Sequence, residues 1–109
     1  MEIPSLVFDK ECKNLYYIYL FFIEEKWWCF GHSAHYLSVM YPELEGIEVN
    51  AGDSDEFIPC VCVSGSCLLN LSDCYDMLVT DTCIQVSAPP VAYCYRKEYD
   101  AWCEQLTVN

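Results

Sequence analysis

The run Leu15–Ile23 constrains this chain more than any other segment. It is crowded with Tyr, Ile and Phe and has no polar positions at helical spacing, so it reads as a buried strand. The charged triplet Glu24-Glu25-Lys26 follows directly, and Trp27–Phe30 can return as the second arm of a hairpin. The run is far too short for a membrane-spanning helix, which needs about 20 apolar residues. A chain carrying this segment must build a sheet and then cover it.

The rest of the chain is read around that hairpin. Ser5–Phe8 is expected as a short strand. Ser33 is placed to cap a short helix, Ala34–Met40, that stops before Pro42. Ile47–Asn50 is expected as a strand and Ala51–Glu56 as an acidic loop. Phe57–Val63 alternates as a strand, with Pro59 marking an edge or a bulge. Leu68–Leu71 is expected to pair back on it across Ser64-Gly65-Ser66. Ser72 or Asp73 would cap a helix over Tyr75–Thr82. Tyr95, Tyr99, Trp102 and Leu106 fall on one helical stripe, which predicts an amphipathic helix from Val91 to Leu106 with that stripe on the core. With 109 residues and neither repeat nor linker, residues 1–109 read as one domain; only a single element follows Pro89-Pro90. The hydrophobic fraction of 54% suffices for a core and excludes a disordered chain. The fold class expected is α+β, a small single domain with a mostly antiparallel sheet of two hairpins and a C-terminal amphipathic helix packed on one face.

Charge narrows the partners. Lys and Arg number 5 against 17 Asp and Glu, for a formal charge of −12. Lys10, Lys13 and Lys26 come early, Arg96 and Lys97 late, and no basic residue lies between Trp27 and Tyr95. That gap holds Glu43, Glu45, Glu48, Asp53, Asp55 and Glu56, the residues expected to meet a partner. Nucleic acid needs a basic footprint to neutralise phosphates, and none exists. An anionic membrane surface is disfavoured for the same reason. The expected partner is a protein with a basic patch. Calcium would use the same oxygens, but the segment Asn50–Glu56 does not fit the twelve-residue EF-hand loop.

The 9 cysteines, at 12, 29, 60, 62, 67, 74, 83, 94 and 103, cannot all pair within one chain. Met1-Glu2 opens no basic and apolar leader, which favours a reduced cytoplasmic protein over a secreted one. The sequon Asn70-Leu71-Ser72 points the other way.

Three constellations could carry chemistry. Cys29, His32 and His35 recur every third residue, and Cys60 with Cys62 would supply a second pair on one strand face for a zinc site. His32 could also activate Cys29 for hydrolysis, although nothing in the sequence marks an orienting group or an oxyanion site. Finally, the order Leu15–Ile23, Trp28-Cys29, a helix, then Ile58-Pro59 before a strand resembles thioredoxins. The resemblance implies Cys29 as the attacking thiol and Pro59 as a cis proline facing it. His32 stands where that family has its resolving cysteine. The leading expectation is a non-enzymatic, acidic, cysteine-rich interaction module without a cofactor. Small size, crowded aromatics and a lack of catalytic motifs suit an accessory or effector protein, viral ones included. A thiol-redox protein using Cys29, His32 and Pro59, and a small zinc-binding domain, are the alternatives.

Overall fold

The computed structural model describes residues 3–12, 14, 16–50, 57–89 and 96–108. Their elements run α1 (Ser5–Glu11), β1 (Tyr17–Ile23), β2 (Lys26–Phe30), α2 (Gly31–Met40), β3 (Gly46–Asn50), β4 (Phe57–Val63), α3 (Gly65–Cys74), β5 (Met77–Val79), β6 (Ile84–Ser87), a 3-10 turn (Arg96–Glu98), α4 (Tyr99–Glu104) and β7 (Thr107–Val108). The sheet order is β5-β6-β1-β2-β4-β3-β7. Every pair is antiparallel except β3–β7. The chain is a small α+β domain.

The aromatic run forms β1 and returns as β2, with Phe22 opposite Trp27 and Ile23 opposite Lys26. Only Glu24 and Glu25 remain for the turn, and both adopt positive φ, 53° and 66°. A two-residue turn of this hand matches strand twist but normally takes Asn or Gly. Each glutamate there costs on the order of 1 kcal/mol. The second hairpin is β5–β6, closed by Thr80, whose Oγ1 accepts from Cys83 N at 3.1 Å.

Side chains alternate between two faces of the sheet. Ile18, Leu20, Cys29, Val61, Val63, Ile84 and Val86 form one buried cluster with Ala34 and Leu37 of α2 and Cys67 and Leu71 of α3. Tyr19, Phe21, Phe30, Val49 and Cys60 form the other, with Val7 of α1. Truncating a fully buried side chain such as Leu71 to Ala costs about 2–5 kcal/mol.

Several expected elements differ. Ser5–Phe8 is helical, because Ile3, Leu6 and Val7 meet the second cluster at helical spacing. Leu68–Leu71 does not pair with β4. It lies in α3, where Ser64 is the N-cap and accepts from Cys67 N at 3.2 Å. With Ser-Gly-Ser at a helix start, Cys67 and Leu71 fall on one buried face. Residues 75–82 hold β5 instead of a helix. Pro59 sits on an internal strand, but one residue beyond the last pair with β2, so no ladder bond is asked of it on that side. Ser33 lies inside the first turn of α2, whose N-cap is Phe30. The C-terminal helix covers Tyr99–Glu104 only. The expected loop Ala51–Glu56 and the proposed helix start at Val91 lie outside the described residues.

Candidate functional site

Helix α2 is the scaffold of the site, and a buried carboxylate from α1 holds its start. Gly31 opens α2 at φ +57°, and a Cβ there would stand 3.2 Å from Glu11 Oε1. Only glycine gives the carboxylate room in that backbone conformation. Glu11 Oε1 accepts from Ser33 N at 2.9 Å, and Oε2 accepts from Ser33 Oγ at 2.7 Å. Asn14 Nδ2 donates to Glu11 Oε2 at 3.2 Å and to Tyr17 O at 2.7 Å, while Tyr17 N donates to Asn14 Oδ1 at 3.0 Å. Ser33 Oγ also accepts from Tyr19 N at 2.9 Å. Glu11, Asn14 and Ser33 are all buried. The network ties α1, β1 and the start of α2 together and places negative charge at a helix N-terminus, where the dipole favours it.

From that start α2 carries His32 and His35 toward α4. The His32 ring stacks on Tyr99 with centroids 4.0 Å apart. His35 lies edge-on to Tyr99 at 5.8 Å and tilted against Trp102 at 5.1 Å. Trp102 and Leu106 close over Gly46 of β3, where a Cβ would come within 2.9 Å of both side chains. Of the expected stripe Tyr95, Tyr99, Trp102 and Leu106, the last three pack inward, against α2 and β3, and Tyr95 lies outside the described residues.

Beside this aromatic seam, α2 and α4 leave an open groove of about 410 Å³. Its lining is mixed: the apolar Val39, Pro42, Leu44 and Ala101, the rings of Trp102 and His35, and the polar Ser38, Gln105 and Glu98. His35 is only 3% exposed, and its Nδ1 has no hydrogen-bond partner among the described residues. Burial lowers the His35 pKa, against a smaller upward pull from Glu98, so the ring is neutral at neutral pH. Burial also pushes the Tyr99 hydroxyl well above its ordinary range.

The acidic residues divide. Glu43 and Glu45 are exposed on the loop between α2 and β3, interleaved with the groove residues Pro42 and Leu44. Glu48 is half-buried on β3 and close enough to Cys103 to raise that thiol's pKa, a smaller effect than burial. Asp53, Asp55 and Glu56 lie outside the described residues.

The cysteine constellations do not assemble. Cys29 points into the cluster beneath α2 and α3, while Cys60 belongs to the cluster on the opposite face. Cys62 follows Cys60 at i+2 on β4 and so lies on that opposite face as well. Cys29, His32, His35, Cys60 and Cys62 are thus split by the sheet, and no group of three metal-ligating side chains occurs among the described residues. Cys29 is fully buried, and desolvation, followed by the Glu11 charge, raises its pKa well above the ordinary thiol value. An attacking thiol requires the opposite shift. The Ile58-Pro59 bond is trans, since the described backbone holds no cis peptide. Cys12, Cys29, Cys60, Cys62, Cys67, Cys74, Cys83 and Cys103 are free thiols. In the sequon, Asn70 accepts a hydrogen bond from the Tyr41 hydroxyl and Leu71 is buried.

The chain matches no family model, no curated protein and no solved structure. Among the described residues no helix is long and apolar enough to cross a membrane. Two features escaped sequence reasoning. Glu11 was not distinguishable from a surface acid, because its partner Ser33 is remote in sequence. His35 carries only a metal-ligand signal in the sequence, although its spacing from His32 places both on one helix face.

Proposed function

We propose that this protein is a non-enzymatic interaction module that binds a basic protein partner through the acidic surface beside the α2–α4 groove. The observation that carries this reading is an open groove lined by the exposed Glu98, with the exposed Glu43 and Glu45 next in sequence to its lining residues Pro42 and Leu44. Glu43 and Glu45 alternate in sequence with the lining residues Pro42 and Leu44, Glu98 lines the groove itself, and the sequence holds no Lys or Arg between Trp27 and Tyr95. Asp53, Asp55 and Glu56 extend the same acidic stretch of sequence. Such a field raises the association rate of a positively charged partner more than it raises affinity. It fades with salt, because the screening length is about 10 Å at 0.1 M.

Stopped-flow association with a basic peptide tests the proposal. Replacing Glu43 and Glu45 by Gln should slow association several-fold at low salt and leave folding intact, since both side chains are exposed. A rate indifferent to both the substitutions and the salt would overturn it. No observation favours thiol exchange at Cys29 or a zinc site as a second reading.

A further inference from the structure

β5 lies at one end of the sheet, beside β6 and with no second neighbour among the described residues. Two hydrogen bonds fix the phase of this ladder: Ser87 N donates to Asp76 O at 3.1 Å, and Thr80 N donates to Cys83 O at 2.9 Å. In an antiparallel pair, hydrogen-bonded and non-bonded residue pairs alternate. Leu78 with Gln85 is therefore a bonded pair, while Met77 with Val86 and Val79 with Ile84 are not. The N–H and C=O groups of Met77 and Val79 thus point away from β6, along the outer edge. Leu78 and Val79 lie on opposite faces and are 57% and 67% exposed. Proteins commonly guard such edges with Pro, Lys or a bulge. β5 has none of the three, being Met77, Leu78 and Val79 in unbroken register with β6. A row of outward backbone donors and acceptors is matched by one kind of occupant, another extended strand.

The flanks of the edge set the chemistry of that strand. Asp76 precedes β5 and Asp81 stands in the β5–β6 turn, both exposed. The sequence holds no Lys or Arg between Trp27 and Tyr95. Of the described cations, Lys10 stands over Tyr19 of β1, two strands inward, Lys26 is on β2, three strands inward, and Lys97 is on the turn before α4. A second copy of the chain would bring the same acids and a further charge of −12, which opposes self-pairing.

We propose that β5 is an open sheet edge that takes an antiparallel strand from a protein partner, an extended segment with apolar residues at its centre and Lys or Arg at its ends. The outward groups of Met77 and Val79 hydrogen-bond the added backbone, Leu78 and Val79 cover its apolar side chains, and Asp76 and Asp81 face its cations. The proposal goes beyond the groove-side reading and does not rest on it.

The test uses the full chain and the end-blocked peptide Lys-Thr-Val-Leu-Val-Lys, followed by fluorescence anisotropy at low salt. Paired antiparallel, it sets its leucine opposite Leu78, its valines opposite Val79 and Met77, and its lysines beside Asp81 and Asp76. It should bind saturably, and N-methylation of both valines, which blocks the strand bonds and leaves the charge unchanged, should abolish binding. Exchange of both lysines for glutamate should weaken binding about tenfold or more, and Asp76→Asn/Asp81→Asn about three- to tenfold. Val79→Pro removes an N–H that makes no bond to β6 and should weaken binding about tenfold; circular dichroism checks that the variant is folded. A parent peptide that fails to bind, or an N-methylated peptide that binds as tightly as the parent, overturns strand addition. A wild-type dimer that Val79→Pro dissociates in sedimentation assigns the edge to a second copy and overturns the partner proposal. Failure here leaves the groove-side reading standing, because that reading is tested through Glu43 and Glu45.

Discussion

Removing the Glu11 carboxylate is the sharpest test of how the site is held. In Glu11→Ala, Ser33 N loses its 2.9 Å acceptor and the Ser33 hydroxyl loses its 2.7 Å acceptor, both in a buried setting. Asn14 keeps its 2.7 Å bond to Tyr17 O and its 3.1 Å bond to Ser33 Oγ and loses the weaker contacts to Glu11 at 3.2 and 3.4 Å. Two donors are thus stranded, at about 1–3 kcal/mol each. The favourable charge at the start of α2 is lost as well, typically worth about 0.3–1 kcal/mol. Removing a desolvated carboxylate offsets part of this, which leaves a destabilisation of about 2–4 kcal/mol. In a chain of this length that lowers Tm by about 10–20 °C. Glu11→Gln keeps one acceptor and should fall between the two. Thermal melts followed by circular dichroism measure both, and a double-mutant cycle with Ser33→Ala should give strongly non-additive losses. A Glu11→Ala protein melting within about 2 °C of wild type would refute the reasoning.

The other predictions concern the turn, the thiols and acid stability. Glu24→Asn with Glu25→Gly should stabilise the hairpin by about 0.5–1 kcal/mol, read as a higher denaturant midpoint, because both positions have positive φ. Iodoacetamide at neutral pH should label the exposed Cys12, Cys62 and Cys74 first and leave Cys29 untouched until the protein unfolds; mass spectrometry of peptides reads the order. Burial raises Cys67 to about 11 and Cys60 to about 12 from 9.0. Their stabilisation is therefore complete below about pH 9 and is lost as pH rises through the folded values, which an alkaline series of melts checks. His35 runs the other way: its folded pKa lies below 6.5, so the unfolded chain takes the proton first. Stability should be full above about pH 6.5 and fall as the pH drops through the folded value, and His35→Gln should flatten that slope.

How much of this was legible in the sequence depends on how local the signal was. The β1–β2 hairpin and Phe57–Val63 could be read because strand periodicity and a charged turn are written in adjacent residues. The inward stripe of Tyr99, Trp102 and Leu106 was legible for the same reason, although the helix itself proved shorter. α1 and α3 were misread because three or four apolar residues fit either period, and Ser64-Gly65-Ser66 suits a hairpin turn as well as a helix cap. Between Cys29 and Cys60, residue spacing said nothing about which sheet face each thiol would occupy. Glu11 and the His35 groove depend on contacts between remote segments, α1 with α2 and α2 with α4, and no periodicity announces these.

The central claim, that the surface around the α2–α4 groove is where a positively charged partner lands, is tested most directly by mapping amide chemical shifts during a hexa-arginine titration. The account predicts shifts concentrated in residues 38–48 and 98–105 that diminish as salt is raised. Shifts that leave those two segments unmoved while another surface responds would contradict it.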